Sequence, residues 1–150
     1  MEDAKVSSQK KIKILLVDDE IDFLEAIAER LALKDFDVVA ASNGKEAIAS
    51  AEKGLFDVAV VDFQMPGMDG TQVLKLLKER HKYLEIIMLT GHATIDSAVA
   101  SAKLGAFKYL EKPYDFEKLV GTIQEAYEER LKKKFEHDKA HMEKIQKLSL

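Results

Sequence analysis

The hydrophobic residues of this chain follow two alternating patterns. Aliphatic runs that are typical of buried strands occur five times, at 12–17, 37–41, 57–61, 84–89 and 106–110. Between these runs, apolar residues recur every three to four positions, for example from Phe23 to Leu31, and this spacing predicts amphipathic helices. Strict alternation of strands and helices predicts a doubly wound α/β fold. We expect a five-stranded parallel sheet in the order 2-1-3-4-5, with helices on both faces and an extended C-terminal helix.

Several polar residues stand where these helices begin or end. Asn43 and Glu46 have the spacing of a capping box for the second helix, and Gly54 stands where that helix ends. Thr94 can cap the fourth helix and Asp115 the fifth. These signals agree with the hydrophobic pattern, so they place the loops of the predicted fold.

The chain divides into three parts. Residues 1–11 form a polar leader without the apolar core of a signal peptide, residues 12–130 form the α/β domain, and residues 131–150 form a charged C-terminal extension. No apolar run approaches the ~20 residues that span a bilayer, so we expect no membrane contact. The absence of cysteine excludes disulfides and thiolate metal sites and fits a cytoplasmic protein.

The extension can continue the last helix, because no proline or glycine follows Gly121. Its apolar residues lie on a rough a/d seam that Asp138 interrupts, and they are Leu131, Phe135, Met142 and Ile145. Two interpretations stay open: a charged linker to an absent effector domain, or an extended helix that mediates dimerisation or partner binding. His137 and His141 have the spacing of a metal pair but also that of an ordinary solvated helix face.

The composition is that of a globular protein. Of the 150 residues, 47% are hydrophobic and 33% are charged, and the formal net charge is −4. This acidic balance gives no reason to expect direct contact with nucleic acid or an anionic membrane. The basic run 132–134 is too short and too interleaved with acids to change that expectation.

Reactive side chains follow four of the five predicted strands. Asp18 and Asp19 end the first strand, Asp62 the third and Thr90 the fourth, and Lys112 follows the fifth. The carboxyl ends of parallel strands meet at one edge of the sheet, and ligands bind there where the strand order reverses. Taken singly, each residue has an ordinary explanation as a helix cap, a turn residue or a surface charge. Their joint occurrence at one edge favours a site.

Three carboxylates at one edge repel each other, and a hard divalent cation would relieve that repulsion. Oxygen ligands of this kind suit Mg²⁺. An aspartate can act as a nucleophile that forms an aspartyl phosphate. Asp62 is therefore a candidate phosphoryl acceptor, Lys112 supplies a positive charge for the phosphate, and Thr90 supplies a hydroxyl donor.

With these residues assembled, the chain resembles the response-regulator receiver domain of bacterial two-component signalling. The resemblance covers residues 11–130 and rests on motifs whose order and separation match: Asp18-Asp19, Asp62, Met65-Pro66-Gly67-Met68-Asp69-Gly70, Thr90-Gly91 and Lys112-Pro113. It implies a flavodoxin-like fold and a phosphoryl group that comes from a sensor histidine kinase or a phosphotransfer protein. It also implies a downstream protein partner or effector domain.

The resemblance also implies roles for single residues. Asp62 would be the phospho-acceptor, and Asp19, Asp62 and the backbone carbonyl of Gln64 would bind Mg²⁺, with Asp18 acting mainly through water. Lys112 would pair with the phosphate, and its bond to Pro113 would be cis.

The implied output is a conformational switch. Phosphorylation would draw the Thr90 hydroxyl toward the phosphate and turn Tyr109 inward, which changes the surface of the fourth helix, fifth strand and fifth helix. That surface or the C-terminal helix could form a homodimer. For Tyr109 an ordinary half-buried strand aromatic is an equal alternative. Gln64 and His92 border the phosphoryl group in this family, so we expect them to influence its lifetime.

Two other functions compete with the switch. A magnesium phosphohydrolase would also use an aspartyl phosphate, but such enzymes need an acid/base two residues after the nucleophile, where this chain has Gln64. A docking module that is never phosphorylated would not need the complete set of site residues. We therefore expect a phospho-acceptor that catalyses its own phosphorylation and dephosphorylation, and no separate enzyme.

Overall fold

The computed structural model describes residues 10–112 and 115–148, which form a five-stranded sheet with helices on both faces. The strands are β1 (Lys13–Val17), β2 (Asp37–Ala41), β3 (Val58–Asp62), β4 (Glu85–Thr90) and β5 (Lys108–Glu111). The helices are α1 (Ile21–Leu33), α2 (Gly44–Lys53), α3 (Gly70–Arg80), α4 (Ile95–Lys103) and α5 (Phe116–Leu148). All neighbouring strands are parallel, and the order β2-β1-β3-β4-β5 confirms the prediction.

Alternate residues of each central strand pack into two separate hydrophobic clusters. In β1, Ile14 and Leu16 face the side covered by α1 and the first half of α5. Leu15 and Val17 face the other side, which α2 and α3 cover. Because both faces are covered, β3 and β4 are buried along their whole length, which explains why they are continuous aliphatic runs.

The register of the sheet brings the candidate residues to one edge. Val17 pairs with Val61 across β1 and β3, and Asp62 pairs with Leu89 across β3 and β4. The residues that follow β1 and β3 therefore emerge side by side at the carboxyl edge. The strand order reverses between these two strands, so a crevice opens there.

The ends of α2 differ in detail from the predicted signals. The Asn43 side chain caps the helix by accepting the N–H of Glu46 at 2.9 Å, as expected. The Glu46 carboxylate, however, accepts the N–H of Ser42 at 2.8 Å, so the reciprocal bond forms one residue before the cap. Gly54 follows the last helical residue in an extended conformation with φ −157°, so it ends the helix without the left-handed geometry that glycine favours.

Capping boxes begin α3 and α4. The predicted Thr94 cap is confirmed, and Ser97 completes its box. Asp69 and Gln72 form a second box at the start of α3, which the sequence analysis did not identify. The strand β5 begins two residues later than predicted, because Gly105 turns the chain with φ +94° and the following residues only approach the sheet.

The helix α5 continues without a break to Leu148 and is 33 residues long, which confirms the expected extended C-terminal helix. Beyond the hydrophobic core it stays attached to the amino edge of the sheet. Arg130 pairs with Asp57 at 3.0 Å, and Lys133 pairs with Glu85 at 2.9 Å. No helix in residues 10–112 or 115–148 is long and apolar enough to cross a membrane. The predicted cis bond to Pro113 and most of the predicted leader lie outside the described residues.

Candidate functional site

Asp62 is the last residue of β3 and is only 5% exposed. Its Oδ1 accepts the N–H of Gln64 in a long bond of 3.4 Å. The following loop is held close to the strand, because the N–H of Gly70 donates to the Phe63 carbonyl at 2.9 Å. A Cβ on Gly70 would lie 2.6 Å from the Phe63 Cα, so only glycine lets the start of α3 approach the strand end this closely.

Asp18 lies next to Asp62 at the end of β1 and is 1% exposed. One of its oxygens accepts the N–H of Glu20 at 2.9 Å. The other accepts Lys112 Nζ at 2.6 Å. Asp18 is therefore an acceptor for both the loop that leads into α1 and the lysine that follows β5.

Lys112 reaches from the end of β5 across the carboxyl edge to the start of α1. Its Nζ also pairs with Glu20 at 3.2 Å and lies 4.1 Å from the centre of the Phe23 ring. Burial alone would lower the pKa of Lys112, but its hydrogen bond with Asp18 and the charges of Asp18 and Asp62 raise it above the ordinary value. The lysine is therefore a fixed positive charge at this edge at any physiological pH.

The same surroundings act in the opposite way on the nucleophile candidate. Burial, followed by the negative charge of Asp18, raises the pKa of Asp62 to about 7. The charge of Lys112 lowers this pKa but does not cancel the increase. Near neutral pH the edge thus holds more negative charge than its one lysine can balance.

In the described part of the chain, three carboxylates lie close enough together to hold a metal ion. Oxygens of Asp18, Glu20 and Asp62 lie within 4.8 Å of one another. Hard oxygen donors with uncompensated charge are the ligands that Mg²⁺ prefers, so the residues present fit this ion. Glu20 was not among the residues predicted to bind Mg²⁺, although it directly follows the Asp18-Asp19 pair.

Asp19 is placed differently from the other acids. Its side chain lies near enough to Asp62 to raise the pKa of that carboxyl, but it does not belong to the three-carboxylate cluster. Asp18 and Asp62 are thus brought together as predicted, while Asp19 stands beside them.

Thr90 is the last residue of β4 and is fully buried. Its Oγ1 accepts the N–H of His92 at 3.1 Å, and its carbonyl accepts the N–H of Lys112 at 2.6 Å. One residue therefore joins the loop before α4 to the segment that carries the lysine. The side chains of His92 and Gln64 are exposed at the same edge.

Tyr109 connects β5 to the loop that follows β3 and to α4. Its ring meets the Phe63 ring edge-on, with centroids 6.0 Å apart, and its hydroxyl forms a short hydrogen bond with the Ser97 hydroxyl of α4. The ring is partly buried and packs against the hydrophobic cluster on the face of the sheet that α2 and α3 cover. Ser97 was not predicted to contact Tyr109. Its position three residues after Thr94 is that of the second residue of a capping box, which places it in the first turn of α4.

Comparisons with known proteins agree with this geometry. Residues 14–124 match the model of the response regulator receiver domain. The DNA-binding transcriptional regulator NtrC of Salmonella typhimurium is 35% identical over 113 residues, which are 75% of this chain and 24% of that protein. The chain thus spans about a quarter of the length of the curated relatives it matches.

Solved structures show the same architecture. A CheY-like receiver domain from Methanospirillum hungatei superposes with a TM-score of 0.80 at 30% identity, covering 83% of this chain and 99% of that one. The beryllofluoride-activated NtrC4 receiver domain dimer superposes with a TM-score of 0.74 at 33% identity, covering 79% and 98%. The chain therefore belongs to the response regulator receiver domain family of two-component signalling.

Proposed function

We propose that Asp62 accepts a phosphoryl group from a phosphohistidine of a sensor kinase or phosphotransfer protein. An Asp62 oxygen would attack phosphorus while the phosphorus–nitrogen bond breaks, and the electron pair would return to the imidazole. The observation that carries this proposal is the placement of Asp62 at the end of a buried strand, beside Asp18 and within the field of Lys112. A carboxylate held this way is a positioned nucleophile.

Mg²⁺ would be held by the carboxylates at this edge. Asp18, Asp62 and Glu20 form the cluster, and Asp19 and the Gln64 carbonyl are the further ligands that the family resemblance implies. When bound, the ion supplies positive charge that offsets the charge on the phosphoryl oxygens. The chain should bind Mg²⁺ more weakly at pH 6 than at pH 8, because protons compete for Asp62.

Lys112 and Thr90 would hold the phosphoryl group after transfer. Lys112 carries a fixed positive charge and now pairs with Asp18 and Glu20, so it could exchange one of these partners for a phosphate oxygen. The Thr90 hydroxyl accepts from His92 and retains its own proton for donation. Both residues emerge at the same edge as Asp62.

We propose that the output is a change in the surface of α4, β5 and α5. Movement of Thr90 toward the phosphate would disturb the loop before α4. Tyr109 would respond to this movement, because its hydroxyl is hydrogen-bonded to Ser97 of α4. Two apolar side chains of α4 are exposed: Ile95 at 84% and Val99 at 46%. A second copy or a downstream effector is the partner proposed for this face, since the related NtrC4 receiver domain forms a dimer when activated.

Gln64 and His92 are proposed to set the lifetime of the phosphoryl group. Both are exposed at the edge, where they could position or exclude the attacking water. The half-life of the phosphorylated chain should therefore change in Gln64→Ala and in His92→Ala, whereas His141→Ala, which alters an exposed histidine of α5, should leave it unchanged. Equal half-lives in all four proteins would end this proposal.

The switch is favoured over a phosphohydrolase by the residue two positions after the nucleophile. Gln64 offers an amide there, which cannot exchange a proton usefully at neutral pH. The test is incubation with acetyl phosphate and Mg²⁺ followed by intact mass measurement. We expect the mass of one phosphoryl group on the native chain and none on Asp62→Asn. An equal gain on both proteins, or a gain on neither, would contradict the proposal.

A further inference from the structure

A strip of apolar side chains is exposed along the second half of α5. Leu131, Phe135, Met142 and Ile145 are 48%, 67%, 55% and 46% exposed. Together with Asp138 they recur at steps of four, three, four and three residues, which is the a/d spacing of a helix that packs against another helix. We call these five residues the seam.

The seam faces away from the sheet. A different stripe of α5 holds the helix to the rest of the protein. Ala126 packs in the hydrophobic core, Arg130 pairs with Asp57, and Lys133 pairs with Glu85. At 3.6 residues per turn, the seam lies roughly 135° around the helix axis from that stripe. The described elements of the same chain therefore leave the seam uncovered.

The charges at the heptad positions that directly flank the seam are all of one sign. From residue 131 onward, the charged residues at the flanking e and g positions are basic, and they are Lys132, Lys134 and Lys139, with His141 as a further titratable group. The acids Glu129, Glu136 and Glu143 recur at the b position, farther from the a/d line, and Glu143 still lines the groove along Phe135 and Met142. A partner helix would consequently meet lysines on both sides of its apolar stripe.

Pairing of the seam with a second copy is opposed by these charges. In a parallel pair, Asp138 would face its own copy within the interface, and Lys134 would face Lys139. In an antiparallel pair, the flanks again bring lysines and histidine together. Each arrangement places like charges inside or beside the interface, and this lowers the affinity of the chain for a second copy.

A membrane surface is also a poor match. Anionic lipid would attract the flanking lysines, but the apolar strip would carry the Asp138 carboxylate toward the acyl region at its centre. Burying an unpaired carboxylate is costly. A helix of opposite flank charge can instead supply a partner for Asp138.

We propose that the seam binds an amphipathic helix of a partner protein that carries acidic residues beside its apolar stripe. In the layer opposite Asp138, that helix would carry a basic or hydrogen-bonding residue. This inference does not depend on phosphorylation of Asp62. It identifies a second contact surface at the far end of α5 from the α4 face.

The probes for this proposal are dye-labelled peptides with Ile at a and Leu at d positions. One peptide carries Glu at every e and g position, a second carries Lys there, and a third is the Glu peptide with one central apolar residue replaced by Arg. Fluorescence anisotropy with the full chain should give about tenfold tighter binding of the Glu peptide than of the Lys peptide, and the tightest binding for the Arg-containing peptide. Added salt should weaken binding of both acidic peptides.

Phe135→Ser and Met142→Ser should each weaken binding of the Glu peptide about tenfold. Leu33→Ser, which changes an 82% exposed leucine of α1, is the matched control and should leave the affinity for the Glu peptide unchanged. Because these side chains are exposed, circular dichroism should show native helix content in all three variants. Equal affinity for the Glu and Lys peptides, or binding of neither, would overturn the proposal.

Two further outcomes would assign the seam to another occupant and also overturn the proposal. A dimer of the untreated chain in sedimentation equilibrium that Phe135→Ser abolishes would identify a second copy. Binding to phosphatidylserine vesicles that Phe135→Ser abolishes, with no binding to the Glu peptide, would identify a membrane.

Discussion

Asp62 shows how strongly the surroundings of one residue decide its chemistry. The same carboxylate in a solvated turn would ionise near pH 4. Here burial and Asp18 raise its pKa to about 7, and Lys112 compensates only in part. The folded protein therefore holds this group at a cost in stability, which is typical of a site that is built to bind a ligand.

The cost of ionising Asp62 can be measured through the pH dependence of unfolding. The folded-state pKa lies above the unfolded value, so the carboxylate destabilises the fold increasingly from about pH 4 to pH 7, and the effect then levels off. Without divalent metal, Asp62→Asn should raise the free energy of unfolding by about 2 to 4 kcal/mol at pH 8 and by much less at pH 4.5. Urea denaturation in EDTA at several pH values measures this.

Asp69→Asn is the control for that measurement, because the pKa of Asp69 is lowered by its hydrogen bonds to Thr71 and to the N–H of Gln72. Its carboxylate stabilises the fold above the unfolded pKa, and this contribution is lost as the pH falls through the folded pKa. Asp69→Asn should thus show the opposite sign. A gain in stability for Asp62→Asn that is the same at pH 4.5 and pH 8 would contradict the account.

Single residues were predictable here where a strand end places them. Asp18, Asp62, Thr90 and Lys112 follow strands that the aliphatic runs identify, and parallel strands bring their ends together. Glu20 was not predicted as part of the cluster, because its position depends on how the chain turns from β1 into α1. Side-chain geometry of that kind leaves no periodic signal in the sequence.

At the scale of elements, the end of β3 and the start of α3 approach each other closely at Gly70. Gly70 allows this approach, since a Cβ there would lie 2.6 Å from the Phe63 Cα and 2.7 Å from the Phe63 oxygen. Gly121 in α5 has open space around its missing Cβ. The two glycines therefore have different reasons to be present.

Alanine substitutions should separate these two glycines. Gly70→Ala must move backbone and should destabilise the fold by about 2 to 4 kcal/mol. Gly121→Ala should stabilise it by about 0.5 to 1 kcal/mol, because alanine is the better helix former and meets no obstacle. Chemical denaturation of both variants measures this, and a neutral Gly70→Ala would show that the loop does not need the close approach.

The attachment of α5 to the sheet depends on a buried acid. Glu85 is 1% exposed at the start of β4, and Lys133 is its ion-pair partner at 2.9 Å. Desolvation lowers the pKa of the nearby Lys78, whose charge gives Glu85 only partial compensation. Removal of Lys133 would therefore leave a buried carboxylate poorly paired.

Lys133→Met should lower the free energy of unfolding by about 1 to 3 kcal/mol. Lys132→Met, one residue earlier on the exposed side of α5, should change it by less than about 0.5 kcal/mol. Thermal or urea unfolding of both variants provides the comparison. Equal small effects would mean that the ion pair does not hold the helix.

The elements themselves were largely predictable, and their contacts less so. Asn43, Thr94 and Gly54 stand directly beside the helices that they begin or end. Local chemistry is therefore enough to predict these helix boundaries. The pairing of Arg130 with Asp57 joins residues far apart in the chain, and no local pattern indicates it. The continuation of the last helix past the core was predictable, because no proline or glycine follows Gly121.

For the whole molecule, one sheet edge carries the proposed phosphoryl site and the opposite edge anchors the long helix. Asp62 and Lys112 lie at the carboxyl ends of the strands, while Asp57 and Glu85 hold α5 at the amino ends. The fold class followed from the alternation of two periodicities, because a parallel sheet needs both faces covered. The functions of the α4 face and of the seam depend on partners, which one chain does not specify.

We propose that Asp62, and neither Asp18 nor Asp19, is the residue that carries the phosphoryl group. Borohydride reduces an acyl phosphate to an alcohol, so it converts a phosphorylated aspartate to homoserine. We predict that treatment with acetyl phosphate and Mg²⁺, followed by borohydride and peptide mass mapping, places homoserine at position 62. Homoserine at Asp18 or Asp19 instead, or its absence from the native chain while a known receiver domain treated in parallel is labelled, would contradict the account.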